Sequence, residues 1–423
     1  MASIPGDKSV LGTERQIMRR AWYVVLLVAL AIGISYFDRL TLPIAISAIQ
    51  RNIPISDQQY SWLQTAFLLS YAALYAIGGH LLDWMGTRKG FLLIMLWWSL
   101  ACALNSLATG FMLLLVARFL LGIGEGGAFP AATRVVAEWI KPSERSTAMG
   151  LINAGTAIGS LLAPPIIGFV VLRRGWRGAF VVSGAFGLAW VLWWALSYRR
   201  NSTSASLNAD ETQGHLSWLA VMRLRNVQAF VFAKFMSDSA WYFLLFWLPK
   251  YLYDARGFDI KQVSYYAWIP YAASGVGSFL GGWFSSMLLH RGRSLDSARK
   301  IALGLCAIAM PSVMLVSLAP VSLALTLFSI AFFAQQAWSG LVMTLPADIF
   351  PLHLVGTVAG LIGFGGAMGG AIFGVIVGFL LSHGVSYGEL FVAVGTFHLI
   401  GFLAIVLRAG RIQPMRVINM EQT

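Results

Sequence analysis

Charge is scarce in this sequence, and acidic charge scarcest: of 423 residues only 11% are charged, with 17 Asp and Glu against 30 Lys and Arg. A soluble chain carries about 25% charged residues. A water-soluble fold is therefore excluded, and a 58% hydrophobic content with mean hydropathy +0.73 implies a polytopic membrane protein. Cysteine is nearly absent: Cys102 and Cys306 sit in separate apolar runs, which excludes a disulfide framework and a Cys-based metal site. The histidines fall at segment ends or in loops except His398, which lies inside a run with no partner nearby in sequence. No metal and no cofactor are expected. The chain lacks a Gly-x-x-x-x-Gly-Lys-Ser/Thr loop, so ATP is not the energy source. It also lacks a dense basic block, so the net charge of +13 does not signal a nucleic-acid partner. The apolar run after Arg20 is too long for a signal-peptide core and has no small-residue cleavage site, so it is expected to be retained.

What is abundant is long apolar runs. A spanning helix needs about 20 apolar residues, and twelve stretches qualify: 22–46, 58–82, 90–108, 111–138, 145–172, 179–198, 227–253, 263–289, 301–318, 321–347, 355–382 and 390–407. Basic residues set their direction. Placing the N-terminus inside puts Arg19, Arg20, Arg88, Lys89, Lys141, Arg223, Arg225, Arg299, Lys300 and Arg408 in inner segments, against a short outer set that includes Arg51, Arg173, Arg177 and Lys250. Both termini are therefore expected inside. Between the sixth and seventh runs lies the only long polar segment, rich in Ser, Thr and Asn and unable to bury a core. It divides the chain into an N-terminal six-helix half (1–198), a cytoplasmic linker (199–226) and a C-terminal six-helix half (227–423). The expected fold is an all-α membrane protein of twelve transmembrane helices, N-in and C-in.

Against this background, charges inside runs stand out. An ionisable residue at the centre of a span costs at least ~2.5 kcal/mol on insertion scales, and such residues usually face a bundle interior or a watery cavity. Arg118, Gly122 and Glu125 are spaced i, i+4, i+7, so they share one helical face that the glycines leave almost bare. Asp38 and Arg39 lie in the first run. Because the first and fourth runs are antiparallel, Arg39 and Arg118 fall at similar depth, ~8–9 Å from mid-span at 1.5 Å per residue. One cavity can thus hold two guanidiniums and two carboxylates. Arg39 and Arg118 are read as holding a substrate carboxylate by forked, charge-assisted bonds, and Asp38 and Glu125 as proton carriers. The competing reading is structural: Asp38 neutralises Arg118 and Glu125 neutralises another base. Tyr36, Tyr71, Asn153, Thr156, Trp241, Gln335, Gln336 and Trp338, aromatic or polar groups near mid-span, suit a ligand with hydroxyl edges and apolar faces; each ring taken alone is more often a packing or interface-anchoring residue. Lys234 and Asp238, i and i+4, read as an intrahelical ion pair with either a coupling or a structural role. Asp83, Arg88, Glu138 and Arg145 are placed at an inner gate.

The loop Gly79-His80-Leu81-Leu82-Asp83-Trp84-Met85-Gly86-Thr87-Arg88-Lys89 resembles the signature loop of the major facilitator superfamily, with Thr87 where a basic residue is usual. Further stretches, namely Tyr36-Phe37-Asp38-Arg39, Glu125-Gly126-Gly127-Ala128-Phe129-Pro130, Glu138-Trp139-Ile140-Lys141-Pro142-Ser143-Glu144-Arg145, Ala163-Pro164-Pro165, Gly175-Trp176-Arg177 and Trp241-Tyr242-Phe243, resemble the anion:cation symporter family of that superfamily and its hexuronate-transporter branch. The resemblance implies two six-helix halves around a central site, an acid pair matching Asp38 and Glu125 that couples to protons, and a matching arginine that contacts substrate. The expected function is proton-coupled symport of a small organic anion, a hexuronate or related sugar acid, by alternating access. Its partners are then a small carboxylate, protons and the lipid bilayer of a bacterial inner membrane, with a monomer as the working unit. The alternatives are a facilitative organic-anion exchanger and a symporter of aromatic or aldonic acids. A membrane-embedded enzyme using Asp38 and Glu125 lacks a nucleophile–base cluster, and an enzyme is not expected.

Overall fold

The computed structural model describes residues 7–140, 144–198 and 218–414. A backbone in lipid must satisfy its own N–H and C=O groups, which leaves helices or closed barrels as spanning structures, and the described chain takes the helical solution throughout. The order is α1 (Asp7–Gln50), α2 (Asp57–Met85), α3 (Thr87–Leu104), α4 (Phe111–Gly126), α5 (Ala128–Trp139), α6 (Arg145–Ser197), α7 (Trp218–Met222), α8 (Arg225–Asp254), α9 (Ile260–Tyr266), α10 (Trp268–His290), α11 (Leu295–Ala309), α12 (Val321–Ile349), α13 (Leu352–Ser382) and α14 (Tyr387–Arg408). Among the described residues nine helices are long and apolar enough to cross a membrane. α2 and α10 are of similar length but richer in Ser, Gly, Gln and Tyr.

Each apolar run of the sequence is built mainly as helix, with local breaks where the chemistry demands them. The runs 145–172 and 179–198 both lie within α6, whose helical backbone is broken at Gly175 with φ 72°. Only glycine adopts that left-handed conformation without strain. The run 111–138 divides into α4 and α5 at Gly127, where the Gly127 N–H reaches back to Gly124 O at 3.3 Å. Pro130 sits in the first turn of α5, where its missing N–H is tolerated. The run 263–289 breaks at Ala267 into α9 and α10. Of the polar connection at 199–226, residues 199–217 lie outside the described residues; the remainder holds α7 and the start of α8.

Packing relies on small residues, because lipid tails offer helices no hydrophobic reason to associate and close van der Waals contact must supply the attraction. α1 crosses α6 where Gly33, Gly155 and Gly159 meet: a Cβ on Gly33 would lie 3.2 Å from Gly155 O, and one on Gly159 would collide with Gly33 O. α4 meets α2 in the same manner. A Cβ on Gly126 would fall 2.5 Å from Tyr71 O, and one on Gly122 would collide with Phe67 O. α13 presents Gly366, Gly369 and Gly370 to α8 and Gly378 to Ser61 of α2. Large rings fill the wider gaps: Trp190 and Trp194 stack 5.0 Å apart against Phe91, and Trp190 Nε1 donates to Leu27 O at 2.8 Å.

Gly126→Val should therefore force α4 off α2. An overpacked core costs about 1–3 kcal/mol, to be read as a lower unfolding temperature of the purified protein in detergent. Gly282→Ala, on an exposed stretch of α10 with no atom near its added Cβ, should leave that temperature unchanged or slightly raised.

Candidate functional site

The closest buried charge contact joins α1 to α4. Arg39 Nε donates to Glu125 Oε2 at 2.6 Å, and Ser35 Oγ, one turn before Arg39 on α1, donates to the same oxygen at 2.6 Å. Arg39 is 1% exposed and Glu125 0%. The guanidinium carbon lies 4.6 Å from the ring centres of both Tyr36 and Tyr71 and 5.3 Å from that of Phe67, an arrangement in which the ring faces answer part of its charge. Two of those rings are seated by glycine. Phe67 and Tyr71 stand one turn apart on α2, and their carbonyls are the atoms that Gly122 and Gly126 admit. The bare face read from the sequence thus serves to bring α2, with its aromatic side chains, against the helix that carries the acid. Arg39 Nη1 and Glu125 Oε1 are buried without hydrogen bonds.

Asp38 and Arg118, the neighbouring buried charges, make no ion pair with each other. Both are 0% exposed, neither Asp38 oxygen nor any Arg118 nitrogen has a hydrogen bond, and Cys102 of α3 packs beside Asp38. Arg118 lies within electrostatic reach of Asp38, Glu125 and Tyr60, with the Phe180 ring centre at 6.0 Å. The structure therefore gathers Tyr36, Arg39, Tyr71 and Glu125 into one contact set, with Asp38 and Arg118 adjoining it. Arg39 and Glu125, assigned separate duties from the sequence, touch each other. Ser35 and Cys102 were missed. Ser35 could have been found by its i, i+4 relation to Arg39; nothing in the sequence pointed to Cys102.

The remaining ligand candidates divide. Thr156 Oγ1 donates to Asn153 O at 2.7 Å and Asn153 Nδ2 to Met149 O at 3.1 Å, so both turn back on α6. Trp241 packs on Phe332 at 5.5 Å, the buried Trp338 stands edge-on to His398 at 5.2 Å, and Gln336 is half-buried. On α8, Lys234 Nζ donates to Asp238 Oδ1 at 2.8 Å and to Ser339 Oγ of α12 at 2.7 Å, while Gln335 Nε2 reaches Asp238 Oδ1 at 3.5 Å.

The profile of the Major Facilitator Superfamily matches residues 28–374. The chain belongs to that superfamily. Among known proteins it is 30% identical over 408 residues to the hexuronate transporter of Escherichia coli (strain K12), covering 92% of this chain and 94% of that one. It is 29% identical over 306 residues to the galacturonate transporter of Dickeya chrysanthemi, covering 68% and 88%. The crystal structure of a D-xylose-proton symporter superposes with a TM-score of 0.73 at 15% identity, covering 92% of this chain and 98% of that one, which speaks for the fold alone. This superfamily member is a multi-pass integral membrane protein and a transporter, not an enzyme.

A transporter must close one end of its path while the other opens, and the two ends of this molecule differ. At one end Lys250 of α8 reaches across to Asp57 of α2 at 2.7 Å while also pairing with Asp254 on its own helix. Beside it Tyr60 donates to Phe246 O at 2.6 Å, Tyr253 to Ile44 O at 2.5 Å and Tyr387 to Asp254 Oδ2 at 3.3 Å. Lys250 is 3% exposed although it was read as an outer-loop cation; its i, i+4 relation to Asp254, next to the buried run Trp241–Pro249, was the available signal. At the opposite end, the ion pairs among the described residues stay within one set of helices: Arg134 with Glu138, Arg299 with Asp348, and Lys300 with Asp296. Of the residues assigned to an inner gate, Glu138 accepts from Thr87 and Arg134, and Arg88 donates to Ala195 O at 3.0 Å. The side chains of Asp83 and Arg145 lie outside the described residues.

Lys250→Met should loosen the bridged end. With a single cysteine at Ser61, buried under Gly378 in a background free of Cys102 and Cys306, a water-soluble maleimide should label the Lys250→Met protein several-fold faster, on the order of the factor of five that ~1 kcal/mol gives. Equal rates would show that the bridge does not hold this end shut.

Proposed function

We propose that the protein is a proton-coupled symporter of a hexuronate or related sugar acid in a bacterial inner membrane, working as a monomer by rocking of two six-helix halves, residues 1–198 and 227–423, joined by a cytoplasmic linker. Twelve crossings with both termini inside follow from the apolar runs and the basic inner segments. That orientation puts the Lys250–Asp57 bridge on the outer side, where it ties the two halves together. The names of the bacterial relatives support the substrate class.

The observation that carries the reading is the Arg39–Glu125 contact at 2.6 Å. The Arg39 edge that would fork a substrate carboxylate already holds a carboxylate of the protein. A substrate anion competes for Arg39 only once Glu125 is neutral, and protonation of Glu125 supplies that neutrality. An ionised Glu125 and a bound anion would together set two negative charges on one buried cation, so proton and substrate enter as a pair and leave as a pair. Asp38 and Arg118 add one charge of each sign nearby, so the buried set stays balanced. Tyr36 and Tyr71 offer flat faces to the sugar carbons and hydroxyls to its edges.

Proteoliposomes holding the purified protein should accumulate D-galacturonate or D-glucuronate against its gradient when the outside is made acidic. Glu125→Gln should reduce that accumulation by about tenfold or more, equivalent to ~1.4 kcal/mol of coupling, while exchange of labelled for unlabelled substrate across the membrane persists. If the wild type exchanges substrate but an acid outside medium drives no uphill uptake, the protein is a facilitative exchanger and the coupling role of Glu125 is lost.

A further inference from the structure

Among the described residues, three buried charges remain once Arg39, Glu125, Asp38 and Arg118 are accounted for, namely Lys250 at the bridged end and the α8 pair Lys234 and Asp238. The α8 pair is built with care. Lys234 and Asp238 side chains are 8% and 9% exposed, and two of the three ammonium hydrogens are used, on Asp238 and Ser339. The Gln335 amide donates to Asp238 and leaves its Oε1 buried without a partner. Gly366 of α13 makes the space in which Asp238 Oδ2 lies. The position of the group matters as much as its content. Along α13, Gly363 lies against the Tyr75 ring of α2, and Gly366, about one turn on, lies against Lys234 and Asp238; the Tyr75 ring is 5.8 Å from that of Tyr71, which lies over Arg39. The Lys234–Asp238 group therefore lies one helical turn along α13 from the Tyr75–Tyr71 ring pair beside Arg39.

The two faces differ in what they can bind. On the α1–α4 face, Arg39 can trade one carboxylate for another when Glu125 takes a proton. On the α8–α12 face, the ammonium has a carboxylate fixed 2.8 Å away on its own helix, with an amide and a hydroxyl alongside. A pair of this kind presents an acceptor beside a donor, the complement of two neighbouring hydroxyls: one gives its hydrogen to Asp238 or Gln335 Oε1, and the next accepts from Lys234. A second substrate carboxylate placed there would meet the Asp238 charge. The balance of buried charge points the same way. With Lys250 answered by Asp57 and Asp254, Asp38, Glu125 and Asp238 oppose Arg39, Arg118 and Lys234 among the described residues, so a monoanion entering with one proton preserves neutrality, whereas a dianion entering with one proton leaves an uncompensated charge in a low-dielectric interior, which is costly.

We propose that Lys234, Asp238, Gln335 and Ser339 form the hydroxyl-reading pole of the substrate site and restrict it to sugar acids with one carboxylate. The proposal rests on the sugar-acid reading of the α1–α4 site and adds the far end of the ligand.

The test uses the purified full chain and a matched ligand pair, D-galactonate and galactarate, which share a six-carbon polyol skeleton and differ in one terminal carboxylate. In titration calorimetry the wild type should bind the monoacid at least about tenfold more tightly than the diacid. Asp238→Asn keeps the shape and removes the opposing charge; it should improve galactarate binding relative to galactonate by about tenfold or more. Ser339→Ala should weaken galactonate several-fold and leave lactate, which lacks the distal hydroxyls, unaffected. Equal wild-type affinity for the two sugar acids overturns the proposal, as does an Asp238→Asn protein, monodisperse on size exclusion, whose preference is unchanged. A wild type that binds neither galacturonate nor galactonate removes the sugar-acid reading itself, an outcome distinct from equal binding of the two. The wild-type comparison stands even if a variant fails to fold.

Discussion

A guanidinium taken out of water must be answered wherever it goes, and in this protein Arg39 is answered by Glu125. That single contact determines much of what surrounds it. The acid has to reach α1 from α4, so α4 has to lie close to α2, and the glycines at 122 and 126 permit that approach. The same approach fixes Phe67 and Tyr71 beside the cation, where their ring faces share its charge. Ser35, one turn from Arg39, completes the hydrogen bonds of the shared oxygen. Removing one partner of such a pair leaves a buried charge alone, at a cost of about 3–5 kcal/mol. The pair is therefore opened by exchange, with a proton or a ligand charge arriving as the protein charge departs.

The bridged end obeys the same electrostatics on a different scale. Lys250 is shared between Asp57 on the facing helix and Asp254 on its own. Because Asp254 remains beside it in any arrangement of the helices, loss of Asp57 does not strand the lysine. The contact across the interface is thus one that can open at modest cost, unlike the Arg39–Glu125 pair, which has no such substitute. The molecule places its replaceable ion pair at the end that separates and its irreplaceable one where the ligand is bound.

Much of this was legible in the sequence, for reasons of scale. Apolar runs of helix-spanning length and charges inside them are costly features, so Asp38, Arg39, Arg118, Glu125, Lys234 and Asp238 stand out in any reading. What could not be read was the pairing. Helical spacing tells which residues share a face of one helix, as with Lys234 and Asp238, but not which face of another helix it meets. Arg39 with Glu125, Lys250 with Asp57, and Lys234 with Ser339 are contacts between helices and depend on crossing depth and rotation. Glu138 shows both cases: its pair with Arg134 is an i, i+4 relation along one helix, while its bond from Thr87 of α3 is a contact between helices. The turn at Gly175 was legible only as a gap between runs; its left-handed backbone is visible only in the fold.

The glycines of α13 have one further implication. Gly366, Gly369 and Gly370 border α8, and Gly378 borders Ser61 on α2, so this helix touches both groups of helices with surface that has few side chains. Helix pairs ordinarily mesh ridge into groove, and that meshing sets a register which must be lifted before either helix can shift. A face made of glycine has no ridges to lift. Displacement along it changes the contact area gradually, which makes α13 a smooth bearing between the two groups while the meshed helices on either side keep their shape.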